Sequence, residues 1–473
     1  MADQVRHNKK ENNMKRGVFA LLLTLSTTFI VAQTNDPVVM EINGKKIKKS
    51  EFDYIYNKNN NEEVLAKNSL DEYITLFKNF KLKTTEAEAQ GLDTTKSFRQ
   101  ELNSYRNQLA KSYLKVESNE KLAKEAYARG NQASEISAII ISFPKTQYLT
   151  PADTLAAYQK AMEAWNKAVQ KGANFEDVVK EYSSDQATKT TETPGYVGWF
   201  SSYELITPLE IPIYTAKVGT VLRPIRILGG YYVIKVNDKR PEENFGEVTF
   251  EKLRPQLENK MVNFGLFTEV YKPGLDKLKK IYHFTENAKA YQTLTQAAQT
   301  THPLDSLYSV PFQNDETTLL TVNNQPVAIA DFIYYLLTNP SSYSNVSTEI
   351  VADKYQQFVY QILLSAENDH LEDNYPEFKN LMQEYRDGIL LFDVSSREVW
   401  DKAANDTLGL ANYFETHKDQ YVLGKIAAEA PKSYKDVRGL VVTDYQDYLE
   451  QEWIKRLNAK YPVVIYEDKI KKK

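Results

Sequence analysis

The chain has 473 residues, long for a single hydrophobic core, so about two to four domains are expected. A hydrophobic fraction of 42% excludes a disordered protein, and 59 Lys and Arg against 63 Asp and Glu, with no long single-sign block, exclude the electrostatic footprint of a nucleic-acid binder. Cysteine is absent, which removes disulfides, thiolate zinc sites, cysteine nucleophiles and a lipidated-cysteine anchor together.

Near the start, Lys15 and Arg16 precede a sixteen-residue, mostly apolar run from Gly17 to Ala32, and polar Gln33, Thr34 and Asn35 follow. A basic start, an apolar centre and a small residue at the cut are the order of a secretory signal peptide. The run is too short to span a bilayer comfortably, and no basic cluster follows to stop transfer. Residues 14–32 are therefore expected to be a signal cleaved after Ala32, residues 1–13 an upstream extension, and the mature chain free of a stable membrane span.

The next feature is repetition. Ile42 to Phe52 (INGKKIKKSEF) and Val322 to Phe332 (VNNQPVAIADF) share a pattern at an offset of 280 residues, and Phe98 to Arg106 matches Phe378 to Arg386 at the same offset. Helical segments 70–90 and 350–370 lie between these landmarks with a one-residue shift. Two copies of one helical module are expected, residues 37–132 and 317–473.

Between them the periodicity changes. Glu135 to Phe143 (EISAIIISF) reads as a buried strand. Pro151 opens an alanine-rich helix expected to run to Lys171-Gly172, a second helix covers Phe175 to Tyr182, and strands are expected over Val221 to Leu228 and Tyr231 to Val236, with Gly229-Gly230 as the turn. From Phe245 to about Tyr282 the pattern is helical again. Residues 244–284 are expected to return to the first module, and 285–316 to be a linker with some helix. Tyr434 to Tyr466 resembles the segment from Phe245 onward, as the matching end of the second copy.

Residues 135–241 resemble a parvulin-type peptidyl-prolyl isomerase domain, on the strand EISAIIISF, the phrase KGANFEDVVKEYSSD, the run GYVGWF and the closing GTVLRPIRILGGYYVIKVNDKRP. The flanking modules resemble the helical body of SurA-type periplasmic chaperones, especially the multi-module versions of Bacteroidota. The expected fold is mainly α with one α+β domain: two SurA-like helical modules, the first carrying an inserted parvulin domain over 133–243 and the second without one.

The resemblance implies a site built from two histidines, an acidic or thiol group, a Met and a Phe for the proline ring, and a hydroxyl. Position by position, the histidines fall on Ala138 and Tyr232, the acid is kept as Asp185, the Met and Phe positions are Leu205 and Leu209, and the hydroxyl falls on Ile227. Trp199 and Phe200 are further candidates for peptide contact. All five histidines (His7, His283, His302, His370 and His417) lie outside 135–241, so no local realignment restores the pair. Asp185 also fits ordinary turn chemistry after a helix.

No metal-ligand spacing, Gly-rich phosphate loop or nucleophilic triad signature accompanies these residues, so neither metal nor cofactor is expected. His370 and His417 are expected to be solvated. The expected function is a periplasmic holdase for unfolded or nascent outer-membrane and secreted proteins, with prolyl-isomerase activity weak or lost. The alternatives are an active peptidyl-prolyl cis-trans isomerase and an accessory subunit of an envelope assembly machine. Fold resemblance alone does not license the activity.

Overall fold

A computed structural model describes residues 36–59, 69–145, 149–201, 204–344, 346–422 and 430–471. The expected upstream extension and signal peptide lie outside these residues. The described chain is mostly helical, and its strands fall in four groups. β1 (Val38–Ile42) and β2 (Lys45–Lys48) come first; β3 (Gln132–Ser142), β4 (Tyr196–Ser201), β5 (Ile225–Ile227) and β6 (Gly230–Pro241) occupy the middle. β7 (Thr285–Glu286), β8 (Thr318–Val322) and β9 (Gln325–Ala328) follow, and β10 (Val463–Ile465) lies near the end.

The repeat is visible in two hairpins. In β1–β2, Ile42 faces Lys45 across a two-residue turn of Asn43 and Gly44; in β8–β9, Val322 faces Gln325 across Asn323 and Asn324. Asn43 and Asn323 share a left-handed φ of 49°. Asn tolerates that conformation, and tight hairpin turns whose twist suits the strands require it. Each hairpin leads into a helix that buries a phenylalanine, Phe52 in the first copy and Phe332 in the second.

The copies are closed in an unexpected order. β10 pairs with β1, giving a sheet β10-β1-β2, while β7 pairs with β8, giving β7-β8-β9. β10, assigned by chain order to the second copy, thus closes the hairpin of the first, while β7, at the start of the stretch expected to be a linker, closes the hairpin of the second. The chain accordingly divides into two compact units: residues up to Arg106 with Lys379–Lys473, and Asn107–Phe378. Module boundaries drawn in chain order, with 244–284 returning to the first copy and 317–473 forming one piece, do not follow this division. The reason is that short closing strands carry little pairing information of their own, so similar sequences can close either hairpin.

Residues 285–316 are not a linker. They begin with β7, continue as the helix Ala288–Ala297, and place Leu294 and Tyr308 in the core with Leu320, Phe332 and Tyr355. The Tyr308 hydroxyl is satisfied inside that core by the Leu294 carbonyl at 3.2 Å. The preceding helical stretch is two helices, Phe250–Asn263 and Phe267–Ile281. Between them Gly265 adopts φ 87°, and a Cβ there would lie 2.6 Å from the Tyr343 ring. Any other residue would meet both backbone strain and a steric clash. His370 is only partly exposed, with Nδ1 at 2.7 Å from the Ala366 carbonyl.

The central domain is a four-stranded antiparallel sheet of order β4-β3-β6-β5. Helix Pro151–Ala168 starts with a capping box between Thr150 and Asp153, as the Thr-Pro-Ala-Asp sequence invites, and ends somewhat earlier than Lys171. Helix Phe175–Tyr182 begins at the Asn174 cap. Ala157, Ala161, Ala164, Val178 and Val179 of these helices bury one face of the sheet with Ile139, Ile141 and Val233. The β5–β6 turn is one residue earlier than expected, since Ile227 faces Gly230 across Leu228 and Gly229.

Candidate functional site

Alternation along β3 and β6 sends every second side chain to the sheet's other face. There Ile136, Ala138, Ile234 and Val236 form a buried cluster with Leu205, Leu209 and Ile213. Phe200, Ile206, Ile227 and Tyr232 rest against it, partly buried. Register fixes the spacing within the sheet: Ile140 and Ile225 flank Tyr232 directly, and Ala138 faces Ile234. Ala138 therefore stands a diagonal step from Tyr232 on one face.

Asp185 reaches the same place through a turn. The Ser184 amide donates to the Ile140 carbonyl at 2.6 Å, and the Ile140 amide donates to Ser183 Oγ at 3.3 Å. These bonds hold the chain after helix Phe175–Tyr182 against β3, beside the residue that faces Tyr232. Asp185 caps the short helix Gln186–Lys189, with Oδ2 accepting from the Thr188 hydroxyl at 2.7 Å and the Thr188 amide at 3.1 Å. The Thr188 hydroxyl bond, helped by the backbone donors, outweighs the opposing effect of burial and holds its carboxyl below the usual range.

Burial, and then the Asp185 charge, push the Tyr232 phenol above its ordinary value. Tyr232 consequently keeps its proton through the neutral range, and its hydroxyl has no hydrogen-bond partner among the described residues. The face thus presents an apolar cluster of Leu205, Leu209, Ile227 and the Ala138 methyl, with one phenolic donor and one carboxylate nearby. Such a surface can hold a proline ring and hydrogen-bond one polar atom beside it.

Two supports of this face have no counterpart in the expected site. Gly195, at φ 83°, passes its carbonyl to the Ala138 amide at 2.7 Å, and a Cβ on it would lie 2.6 Å from Val179 Cγ2. Glu210, adjacent to Leu209, is buried and accepts from Arg129 Nε at 2.7 Å and from Lys260 Nζ at 2.9 Å. These bonds tie helix Thr207–Thr215 to the flanking helical segments. An acid inside the otherwise apolar Leu-Glu-Ile-Pro-Ile run was the available signal for this anchor.

Six of the candidate residues come together: Ala138, Leu205, Leu209, Ile227, Tyr232 and, at the edge, Phe200. Asp185 is close enough to act on Tyr232 electrostatically. Trp199 is the exception. As the strand neighbour of Phe200 it points the other way, with the Arg240 guanidinium 4.5 Å from its ring centre. Among the described residues no group of three or more His, Cys, Asp or Glu could hold a metal, and no helix is long and apolar enough to cross a membrane.

A family model of the PPIC-type PPIASE domain matches residues 120–240. Over 104 residues the chain is 32% identical to the foldase protein PrsA of Geobacillus kaustophilus, covering 21% of this chain and 36% of that protein. It is 23% identical over 242 residues to the parvulin-like PPIase of Rickettsia bellii, covering 48% of this chain and 82% of that one. The chain spans only about a third of the length of the first foldases it matches. Among solved structures, the peptidylprolyl isomerase PrsA of Bacillus anthracis is 21% identical, with 49% of this chain and 94% of that chain covered at a TM-score of 0.24, too low to carry a structural argument. The alternating face of β3 and β6 and the family match coincide, and the chain carries a parvulin, PPIC-type domain over residues 120–240.

Proposed function

We propose that this protein is a folding factor for unfolded exported proteins, a SurA-type chaperone of the periplasm whose parvulin domain receives proline-containing client segments. The observation that carries the reading is the single apolar cluster of Ala138, Leu205, Leu209 and Ile227 against which Tyr232 rests, its hydroxyl without a hydrogen-bond partner among the described residues. Binding there needs no cofactor, because apolar contact and backbone hydrogen bonds suffice. Similarity to foldases and parvulin-like PPIases supports assistance by prolyl isomerisation over passive holding. In that role the pocket grips the proline ring, and the Tyr232 phenol donates to the amide as it twists and its nitrogen loses resonance.

A specific observation favours a second reading. No histidine lies between residues 135 and 241, and Ala138 presents a methyl group where the resemblance implies an imidazole. One phenol cannot do the work of two ring donors, so the domain would bind proline segments while accelerating their rotation little, and the protein would act as a holdase. Service as a docking subunit of an envelope assembly machine is a third reading, distinguished by a single stoichiometric partner.

The test runs two assays on the full mature chain: isomerisation of an Xaa-Pro peptide and suppression of aggregation of an unfolded outer-membrane protein. Isomerisation that Tyr232→Phe lowers by about tenfold or more supports the first reading. Suppression without isomerisation supports the second. Failure in both assays overturns both.

A further inference from the structure

The four-stranded sheet ends on β4, whose residues Tyr-Val-Gly-Trp-Phe-Ser include no charge and no proline. Natural sheets ordinarily blunt an exposed edge with Lys, Pro or a very short strand, because unpaired N–H and C=O groups invite another strand. β4 pairs with β3 alone, and Tyr196 and Val197 are exposed. Its outward side is readable at Ser201, whose amide donates to Glu204 Oε2 at 2.8 Å and so faces away from β3. Backbone groups two residues apart along a strand point the same way, so the Trp199 N–H and C=O face outward as well. Among the described residues neither has a partner on that side.

A cavity of about 510 Å³ lies at the C-terminal end of this edge. Register brings its walls together, since Ala133 of β3 faces Ser201 on one side and Arg240 of β6 on the other. The apolar lining is Trp199, Phe245, Val248 and Leu253, of which Phe245 and Val248 are exposed. Three glutamates line the same space against the single guanidinium of Arg240. That guanidinium lies 4.5 Å from the Trp199 ring centre and makes no ion pair among the described residues. Glu204 is engaged by the Ser201 amide, whereas the Glu242 and Glu247 carboxylates have no bond or ion pair among the described residues. An uncharged strand edge thus adjoins an aromatic cavity with two unmatched negative charges.

We propose that β4 is a docking edge for an extended basic segment of another protein, which adds as a strand beside Val197 to Trp199 and sets a Lys or Arg side chain in the cavity against Glu242 and Glu247. In strand addition, main-chain hydrogen bonds give affinity and side-chain pockets give specificity. Arg240 already covers one face of Trp199, so the two carboxylates are the main attraction for the incoming cation. The same carboxylates turn away an acidic segment. Glu204 occupies the Ser201 amide and so ends the available edge at Trp199. The proposal is independent of the Tyr232 face and requires no proline in the partner.

Fluorescence anisotropy on the full chain at low salt tests it with three labelled, proline-free peptides that share one Val-Thr-Val core and carry Lys, Gln or Glu at both flanks. The Lys peptide should bind about fivefold or more tightly than the Gln peptide, and the Glu peptide most weakly. Glu242→Lys combined with Glu247→Lys should reverse that order, and because neither side chain is bonded within the described protein the variant should remain folded. Methylating the backbone nitrogens on one edge of the Lys peptide should weaken it by about tenfold or more, a loss that a purely side-chain contact would not show. Absence of binding by all three peptides, an unchanged order in the doubly reversed variant, or full affinity of the methylated peptide overturns the proposal. Sedimentation that shows a dimer dissolved by Val197→Lys assigns the edge to a second copy of the chain and overturns it too.

Discussion

The Tyr461 phenol donates to Glu86 at 2.7 Å, joining residues 375 positions apart, and Tyr282 makes the corresponding bond to Glu367 in the other compact unit. In each case a tyrosine just before a closing strand is fixed to a glutamate on the long helix of the hairpin it completes. Lys460 Nζ adds a second bond to Glu86 at 2.6 Å, while Asn374 joins Tyr282 at 2.8 Å. The exchange of closing strands is thus reinforced by matching polar latches.

Tyr461→Phe keeps the ring and removes the bond. Because the acceptor is a buried, charged carboxylate, the cost should be about 1.5 kcal/mol, with Lys460 and Gln90 limiting the loss. Denaturant unfolding followed by amide exchange should show faster opening in residues 36–106 and 438–465. The same measurement on Tyr282→Phe should place the loss in 267–369 instead.

Glu86 also predicts an acid limit. Burial opposes its charge, but bonds from Lys460, Gln90 and Tyr461 outweigh burial and hold its carboxyl below the ordinary value. A group depressed in the folded state contributes stability above its unfolded pKa and loses it as pH falls through the folded one. That contribution should be full above about pH 4.5 and decline below it. Glu86→Gln should flatten this part of the stability profile in urea titrations between pH 3 and 6.

Gly195→Ala should damage the candidate site from beneath. The left-handed conformation costs a side chain about 1–2 kcal/mol, and the new Cβ would press on Val179 and the Ala138 carbonyl. A loss of about 2 kcal/mol or more in domain stability is expected, with Ala138 and Tyr232 amides shifted in NMR spectra.

Asp185 separates two roles. Asp185→Ala removes a helix cap and should cost about 1 kcal/mol, whereas Asp185→Asn retains an acceptor for Thr188 and should cost little. Losing the charge should lower the Tyr232 phenol pKa in either variant, readable by ultraviolet titration. Aggregation suppression should be unchanged in both if clients are held by the apolar wall.

Local sequence made much of this legible. The Asn-led turns at 43 and 323, the strand EISAIIISF, the Pro151 helix start and the helix from Phe175 all depend on neighbours within a few positions. β4 is harder to read, because its glycines carry no side-chain pattern, while Gly195 comes so near β3 that a Cβ would lie 3.1 Å from the Ala138 carbonyl. The pairing of β10 with β1 joins residues hundreds of positions apart, β7 is a two-residue strand with no pattern of its own, and the Ala- and Thr-rich stretch 285–316 gives no sign that Leu294 and Tyr308 are core. The resemblance pairs Ala138 with Tyr232, and alternation along β3 and β6 puts both on one face. Alternation along β4 sends Trp199 and Phe200 to opposite faces, and the Glu210 anchor needs partners that only the tertiary fold supplies.

On the proposed function, clients are taken on the face of the parvulin sheet holding Ala138, Tyr232, Leu205 and Leu209. Amide hydrogen exchange on the full mature chain, with and without excess unfolded outer-membrane protein, tests it directly. Exchange in residues 136–140, 205–213 and 225–236 should slow on client binding. Client binding that leaves exchange in those three segments unchanged would contradict it.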